Sequence, residues 1–155
     1  MDSAVNIRCP LEDDLADLGR RLGTLCTPRT VICLSGDLGA GKTVTARGIA
    51  RGLGIEGRVP SPTYVIVQTL AGGRLPLWHG DLYRVSDEDE LEQLGLFEMF
   101  EDHGVVVLEW AAPFADALPS DRLELSLHIE PDQTRVVQLD ATGPRHQALL
   151  EALGG

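Results

Sequence analysis

The sequence predicts an α/β domain in which a mainly parallel β-sheet is flanked by helices and closed by an antiparallel C-terminal hairpin. Three stretches predict it. A five-residue strand, Val31 to Ser35, runs through a glycine-rich loop into a helix. A second, wholly apolar strand, Val105 to Leu108, ends on Glu109. Two alternating segments, 122–129 and 134–139, are joined by the turn Glu130-Pro131-Asp132-Gln133. Short apolar runs bounded by turn residues are the pattern of strands buried on both faces, and alternation is the pattern of strands with one face in water. At 155 residues the chain is expected to be one domain, 1–155, with a substantial core.

Taken in order, residues 5–9 read as an opening strand. Pro10 to Asp14 starts a helix with acids in its first turn, where they complement the helix dipole. Leu11, Leu15, Leu18, Leu22 and Leu25 recur at helical spacing and read as a stripe packed on the core. Thr27-Pro28-Arg29 closes the segment. After the Val31 strand comes Gly36-Asp37-Leu38-Gly39-Ala40-Gly41-Lys42-Thr43, an uninterrupted G-x-x-x-x-G-K-T. Its glycines let the backbone wrap an anion with successive N–H groups pointing inward, and the following helix adds the positive end of its dipole. In such a P-loop the lysine reaches the β- and γ-phosphates and the threonine hydroxyl ligands Mg²⁺. The expected fold is therefore a P-loop NTPase domain. The helix from Lys42 ends near Gly52-Leu53-Gly54, with Arg47 and Arg51 on its solvated face.

Two prolines around Ser61 in Val59-Pro60-Ser61-Pro62-Thr63-Tyr64 hold an extended turn. It reads either as simple loop chemistry or as a switch that senses a γ-phosphate. Residues 63–70 follow as a strand, Ala71 to Arg74 as a hairpin turn, and Leu75 to His79 as the return strand. His79-Gly80-Asp81-Leu82-Tyr83-Arg84 then stands where the carboxyl end of a strand meets a loop, the usual place for ligands in open α/β sheets. Asp81 is a candidate for Mg²⁺ or for orienting water; Tyr83 and Arg84 also read as loop anchors. Ser86 is expected to cap a helix through the acidic run Asp87 to Glu90. A carboxylate at the end of a buried strand is costly unless paired or near a metal. Glu109 therefore fits a Walker-B acid sharing Mg²⁺ with Thr43. Trp110 beside it either packs under the nucleotide or caps the core. Residues 143–153 form a terminal helix, and His103, His128 and His146, without ligand spacing, read as structural.

The composition limits the partners. With 24 acids against 13 bases, a formal charge of −11 and no basic block, the chain is not expected to hold DNA or RNA by itself. The charge reads as solubility, with an acidic face for a basic protein as the alternative. No apolar run of about 18 residues suggests a membrane span. The opening MDSAVNIRCPLEDD carries acid where a signal peptide carries base. Cys9, Cys26 and Cys33 lack C-x-x-C spacing. A reduced, cytoplasmic setting is expected.

GDLGAGKT, then LG…VPSPTY, WHGDLYR, LEQLG and VVVLEW, in that order over roughly residues 11–140, resemble the TsaE family of P-loop ATPases in bacterial tRNA threonylcarbamoyladenosine synthesis. The resemblance implies ATP and Mg²⁺ as cofactors. It implies work with TsaD and TsaB, which transfer the threonylcarbamoyl group to adenosine 37 of tRNA, so that tRNA is met only through partners. It further implies cofactor binding by Gly36, Asp37, Leu38, Gly39, Ala40, Gly41, Lys42, Thr43 and Val44, with Thr43 and Glu109 on the metal. Lys42, Asp81 and Glu109 would be catalytic, Ser61 and Thr63 part of a switch, Trp110 near the nucleotide and Arg135 near the base. Two features depart from the family pattern: Ala111-Ala112 follow Glu-Trp where proline is common, and Leu15 stands where many members carry a threonine near the nucleotide. The rival readings are a small P-loop kinase and a nucleotide-gated binding module. A kinase lid needs arginines over the transferred group, and residues 111–121 contain no Arg or Lys.

Overall fold

The computed structural model describes residues 4–37, 39–56 and 67–154. Among the described residues, seven strands form one sheet in the order β1-β7-β6-β2-β5-β4-β3. Its heart is parallel: β2 (Val31–Gly36) lies between β6 (Leu123–Ile129) and β5 (Val105–Glu109), and β5 pairs in parallel with β4 (Leu77–Asp81). Antiparallel pairs flank it. β3 (Val67–Leu70) turns back on β4, and β7 (Arg135–Ala141) pairs with both β6 and the edge strand β1 (Ala4–Cys9). The two central parallel strands, β2 and β5, are the apolar runs, as burial on both faces requires. Residues 31–34 and 105–109 are all buried. β6 alternates between buried leucines and partly exposed polar residues through Ser126.

The two faces carry separate apolar clusters. Ile32, Leu34, Val105, Val107, Leu123, Leu125 and Leu139 pack under α1 (Glu12–Leu25), α2 (Lys42–Gly52) and α5 (Pro144–Ala152). Val31, Cys33, Val106 and Leu108 face α3 (Glu88–Gln93), α4 (Leu96–Glu101) and a 3-10 turn, Ala112–Ala117. In α1 the stripe is buried at Leu15, Leu18 and Leu22, each worth about 1.5–3 kcal/mol on transfer from water. Leu11 departs from it: it is 65 % exposed at the helix N-cap, where its N–H donates to the Asp14 carboxylate. α1 and α2 approach closely through Gly19 and Gly23 on one helix and Gly48 and Gly52 on the other. A Cβ on Gly48 would lie 2.5 Å from the Ala16 carbonyl oxygen, and one on Gly19, Gly23 or Gly52 would meet the opposing backbone likewise. Arg74, in the β3–β4 turn, donates to the carbonyls of Gly23, Thr24 and Cys26 and so satisfies the C-terminal end of α1.

Other boundaries differ in detail from the sequence expectation. Asp87, not Ser86, caps α3, its carboxylate accepting the Glu90 N–H at 3.1 Å. β4 begins at Leu77 rather than Leu75 and runs on to Asp81. The N-terminus of α5 borrows its acid from afar: Asp121 accepts the N–H groups of Arg145 and His146. His146, buried, joins this arrangement, with Nδ1 on Asp121 at 2.8 Å and Nε2 accepting the Val31 N–H at 2.9 Å. The three cysteines are buried and form no disulfide. Burial pushes the Cys26 and Cys33 thiols up to about 12, so they pack as apolar groups. No described helix is long and apolar enough to cross a membrane.

Candidate functional site

The parallel register brings the candidate residues to one edge. In β2–β5 Leu34 is opposite Glu109, and in β4–β5 Asp81 is opposite Glu109. Asp81 and Glu109 therefore end adjacent strands side by side, while β2 runs on into the glycine-rich loop. Because side chains alternate across a sheet, His79, Asp81 and Glu109 share the face of Leu77, Val105 and Val107, which is the face covered by α2.

The loop takes the conformation its glycines permit. Gly36, Gly39 and Gly41 all have positive φ, and the Asp37 carbonyl closes a turn on the Ala40 N–H. Gly41, at φ 108, is the N-cap of α2, and a Cβ there would collide with the Leu15 side chain. At Gly39 nothing would meet a Cβ within 4 Å, so this stretch of backbone lies open. Lys42, 6 % exposed, donates from Nζ to the Gly36 carbonyl at 2.7 Å and lies 3.9 Å from the centre of the Trp110 ring. Trp110 holds a left-handed backbone, φ 59, which a side chain larger than Gly, Asn or Asp adopts only when its surroundings impose it. Its ring also packs on Tyr83, centroids 5.2 Å apart.

A cavity of about 610 Å³ opens at this edge, lined by Gly39, Gly41, Lys42, Thr43, Val44, Asp81, Glu109, Trp110 and Arg135 among the residues expected from the sequence. That size suits a nucleotide-sized ligand. Of the other loop residues, Ala40 turns into the core, Asp37 is exposed outside the lining, and Gly36 lines a smaller cavity of about 200 Å³ that also has Trp110 in its wall. Leu38, Ser61 and Thr63 lie outside the described residues. The cavity also takes in Glu12, Leu15, Tyr83 and Arg84. Glu12 carried no signal beyond being a first-turn acid.

Electrostatically the site mixes Lys42, Arg84 and Arg135 with Glu12, Asp81 and Glu109. Asp81 folds back in an Asx turn, accepting the Tyr83 N–H at 3.0 Å, and the Leu82 N–H bonds to the Glu109 carbonyl, which ties this loop to the end of β5. Arg135 donates from Nη1 to the Gln133 carbonyl and reaches the Gly39 carbonyl from Nη2 at 3.5 Å; its buried Nε has no partner among the described residues. Glu109 is 5 % exposed and its Oε2 lies 2.7 Å from Nε2 of His79, which is 1 % exposed. In the sequence His79 is marked only by its place in the stretch His79 to Arg84 at a strand's carboxyl end.

A family model described as "Threonylcarbamoyl adenosine biosynthesis protein TsaE" matches residues 9–137. The chain belongs to the TsaE family. Its relatives include the tRNA threonylcarbamoyladenosine biosynthesis protein TsaE of Bacillus subtilis, 44 % identical over 126 residues, covering 81 % of this chain and 78 % of that protein. The Treponema pallidum TsaE is 36 % identical, covering 80 % of this chain and 91 % of the other. The crystal structure of Bacillus subtilis YdiB superposes with a TM-score of 0.87 at 32 % identity, over 99 % of this chain and 96 % of that one. The α/β fold and a place in tRNA threonylcarbamoyladenosine biosynthesis follow from membership of this TsaE family.

Proposed function

We propose that this chain is the ATP-binding and ATP-hydrolysing component of the threonylcarbamoyladenosine modification system, acting in the cytoplasm with TsaD and TsaB and not itself transferring the group. One observation carries the reading: the glycine loop that opens α2 faces Asp81 and Glu109 across a single cavity. The loop N–H groups and the α2 N-terminus suit the phosphates. Lys42, now donating to the Gly36 carbonyl, would turn its ammonium to them. Arg135, in the wall of the same cavity, suits the nucleoside end.

The donor set fits Mg²⁺. Among the described residues no three His, Cys, Asp or Glu side chains cluster as a cage, and Mg²⁺ normally takes one or two carboxylates with phosphate oxygens and water. Thr43 and Glu109 would hold it, and its charge would offset that of the phosphates. Lys42 and the loop N–H groups stabilise charge on the γ-phosphate, and Asp81 orients the attacking water.

A nucleotide-gated module with negligible turnover is the second reading. It is favoured by the engagement of Lys42 with Gly36 and Trp110. The kinase reading loses support, because the stretch after Trp110 packs Phe114 and Leu118 into the core instead of forming a lid. Calorimetric titration with ATP tests the proposal. Binding strengthened by Mg²⁺ and lost in Lys42→Ala, with an unchanged melting curve, supports it; a Lys42→Ala variant that binds Mg-ATP as the wild type does would refute it.

A further inference from the structure

We propose that His79 is the positioning residue for Glu109, selecting which carboxylate oxygen faces the cavity; the proposal rests on the Mg-ATP reading of the site.

The two side chains meet because of sheet register. His79 is opposite Val107 and Asp81 opposite Glu109 in the parallel β4–β5 pair, so His79 and Glu109 share a face and sit diagonally, one pleat apart. Both are buried and their polar atoms are 2.7 Å apart. The direction of the bond follows from the other ring nitrogen. Nδ1 of His79 is buried with no partner among the described residues, so a proton there would have no acceptor. The ring N–H is thus on Nε2 and donates to Oε2 of Glu109. Oε2 is occupied, and Oε1 is the oxygen left to turn toward the cavity that Glu109 lines.

A buried pair that only satisfied two polar groups would need no particular place. This pair lies beside the P-loop strand, and its carboxylate faces Lys42 and Thr43 across the same cavity. It has the arrangement by which an outer residue orients a metal-binding carboxylate, where loss of the partner typically lowers metal affinity or activity about 10–100-fold.

The test measures the Mg²⁺ concentration that half-maximally strengthens ATP binding, together with metal-free ADP affinity and the melting temperature. Three variants are compared with wild type. His79→Gln carries an amide near the position of Nε2, His79→Asn places its amide at the Nδ1 position, short of Glu109, and His79→Leu has no donor. We expect the Mg²⁺ midpoint to rise about 10-fold or more in His79→Asn and His79→Leu and to return within about 3-fold of wild type in His79→Gln. Metal-free ADP affinity should stay unchanged. An unshifted midpoint in His79→Asn, or an equal loss of metal-free ADP binding, overturns the proposal. If His79→Leu does not fold, the Gln and Asn pair decides it. Glu109→Gln separates the two readings: if it leaves the Mg²⁺ midpoint unmoved, the metal-site reading itself fails, and if it moves the midpoint while His79→Asn does not, only the role of His79 fails.

Discussion

Replacing His146 by Leu tests how the P-loop strand is anchored at its start. The His146 ring is 1 % exposed, its Nε2 accepts the N–H of Val31, itself 1 % exposed, and its Nδ1 donates to Asp121. Leucine fills similar space but offers no acceptor, so a buried N–H is left unsatisfied at a cost of about 1–3 kcal/mol. Asp121 keeps the N–H groups of Arg145 and His146, and its side chain is 30 % exposed, so water replaces most of what it loses. The expected loss is about 1–3 kcal/mol, which for a chain of this length lowers the melting temperature by roughly 2–12 °C. Nucleotide affinity should not change, because His146 is outside the cavity.

The pH dependence has a definite sign. Burial holds the His146 pKa below the ordinary histidine value; Asp121 pulls it up and Arg145 pushes it down. Below about pH 6.5 the unfolded chain therefore binds more protons at this residue than the folded one, and the stability it contributes falls with pH. Urea denaturation of both proteins at pH 8 and pH 5.5 should show a gap that narrows on acidification. No gap at pH 8, or one that widens at pH 5.5, would refute the reasoning. Asp121 acts further down the scale. Burial would raise its pKa, but the hydrogen bonds from the His146 ring and from the Arg145 and His146 N–H groups outweigh that and hold it below the usual carboxylate value. Its contribution is present above about pH 3.8 and lost as pH falls through the lowered value.

Gly48→Ala should destabilise the protein by about 1–3 kcal/mol, read from the urea midpoint, because its Cβ would meet the Ala16 carbonyl at 2.5 Å and force α1 from α2. Asp81→Ala should abolish partner-stimulated ATP turnover while leaving nucleotide affinity within a few-fold, checked by phosphate release and calorimetry; unchanged turnover would remove Asp81 from the mechanism. Arg135→Ala should weaken ATP binding about 10- to 150-fold, a charge-assisted hydrogen bond being worth roughly 1.5–3 kcal/mol; an unchanged affinity would put the nucleoside elsewhere.

What was legible in the sequence was local. The glycine loop, the strand ending on Glu109, the Leu15–Leu18–Leu22 stripe and the C-terminal hairpin each depend on neighbours within a few residues, and each stands in the structure with only small shifts at its ends. The first hairpin is present from Val67 and Leu77, residues 63–66 of its first strand lying outside the described residues. Pairings across the sheet were not legible. Nothing between His79 and Glu109 in sequence announces the bond that forms, since it depends on the register of two strands 30 residues apart. The close α1–α2 crossing rests on glycines four apart on two helices, which look like weak helix formers until the helices meet. Leu11 fitted the stripe by spacing, yet the helix begins one residue later and leaves it exposed. Glu12 reaches the cavity only because α1 starts beside the loop, and Asp121 caps a helix more than 20 residues away.

Phosphate release from ATP and Mg²⁺, measured with and without the TsaD–TsaB pair of the same source, tests the central claim most directly. The account predicts weak release by this chain alone, a clear rise with the pair, and none from Lys42→Ala in either case. Tight ATP binding with no release in any mixture would contradict it and leave the chain a nucleotide-gated module.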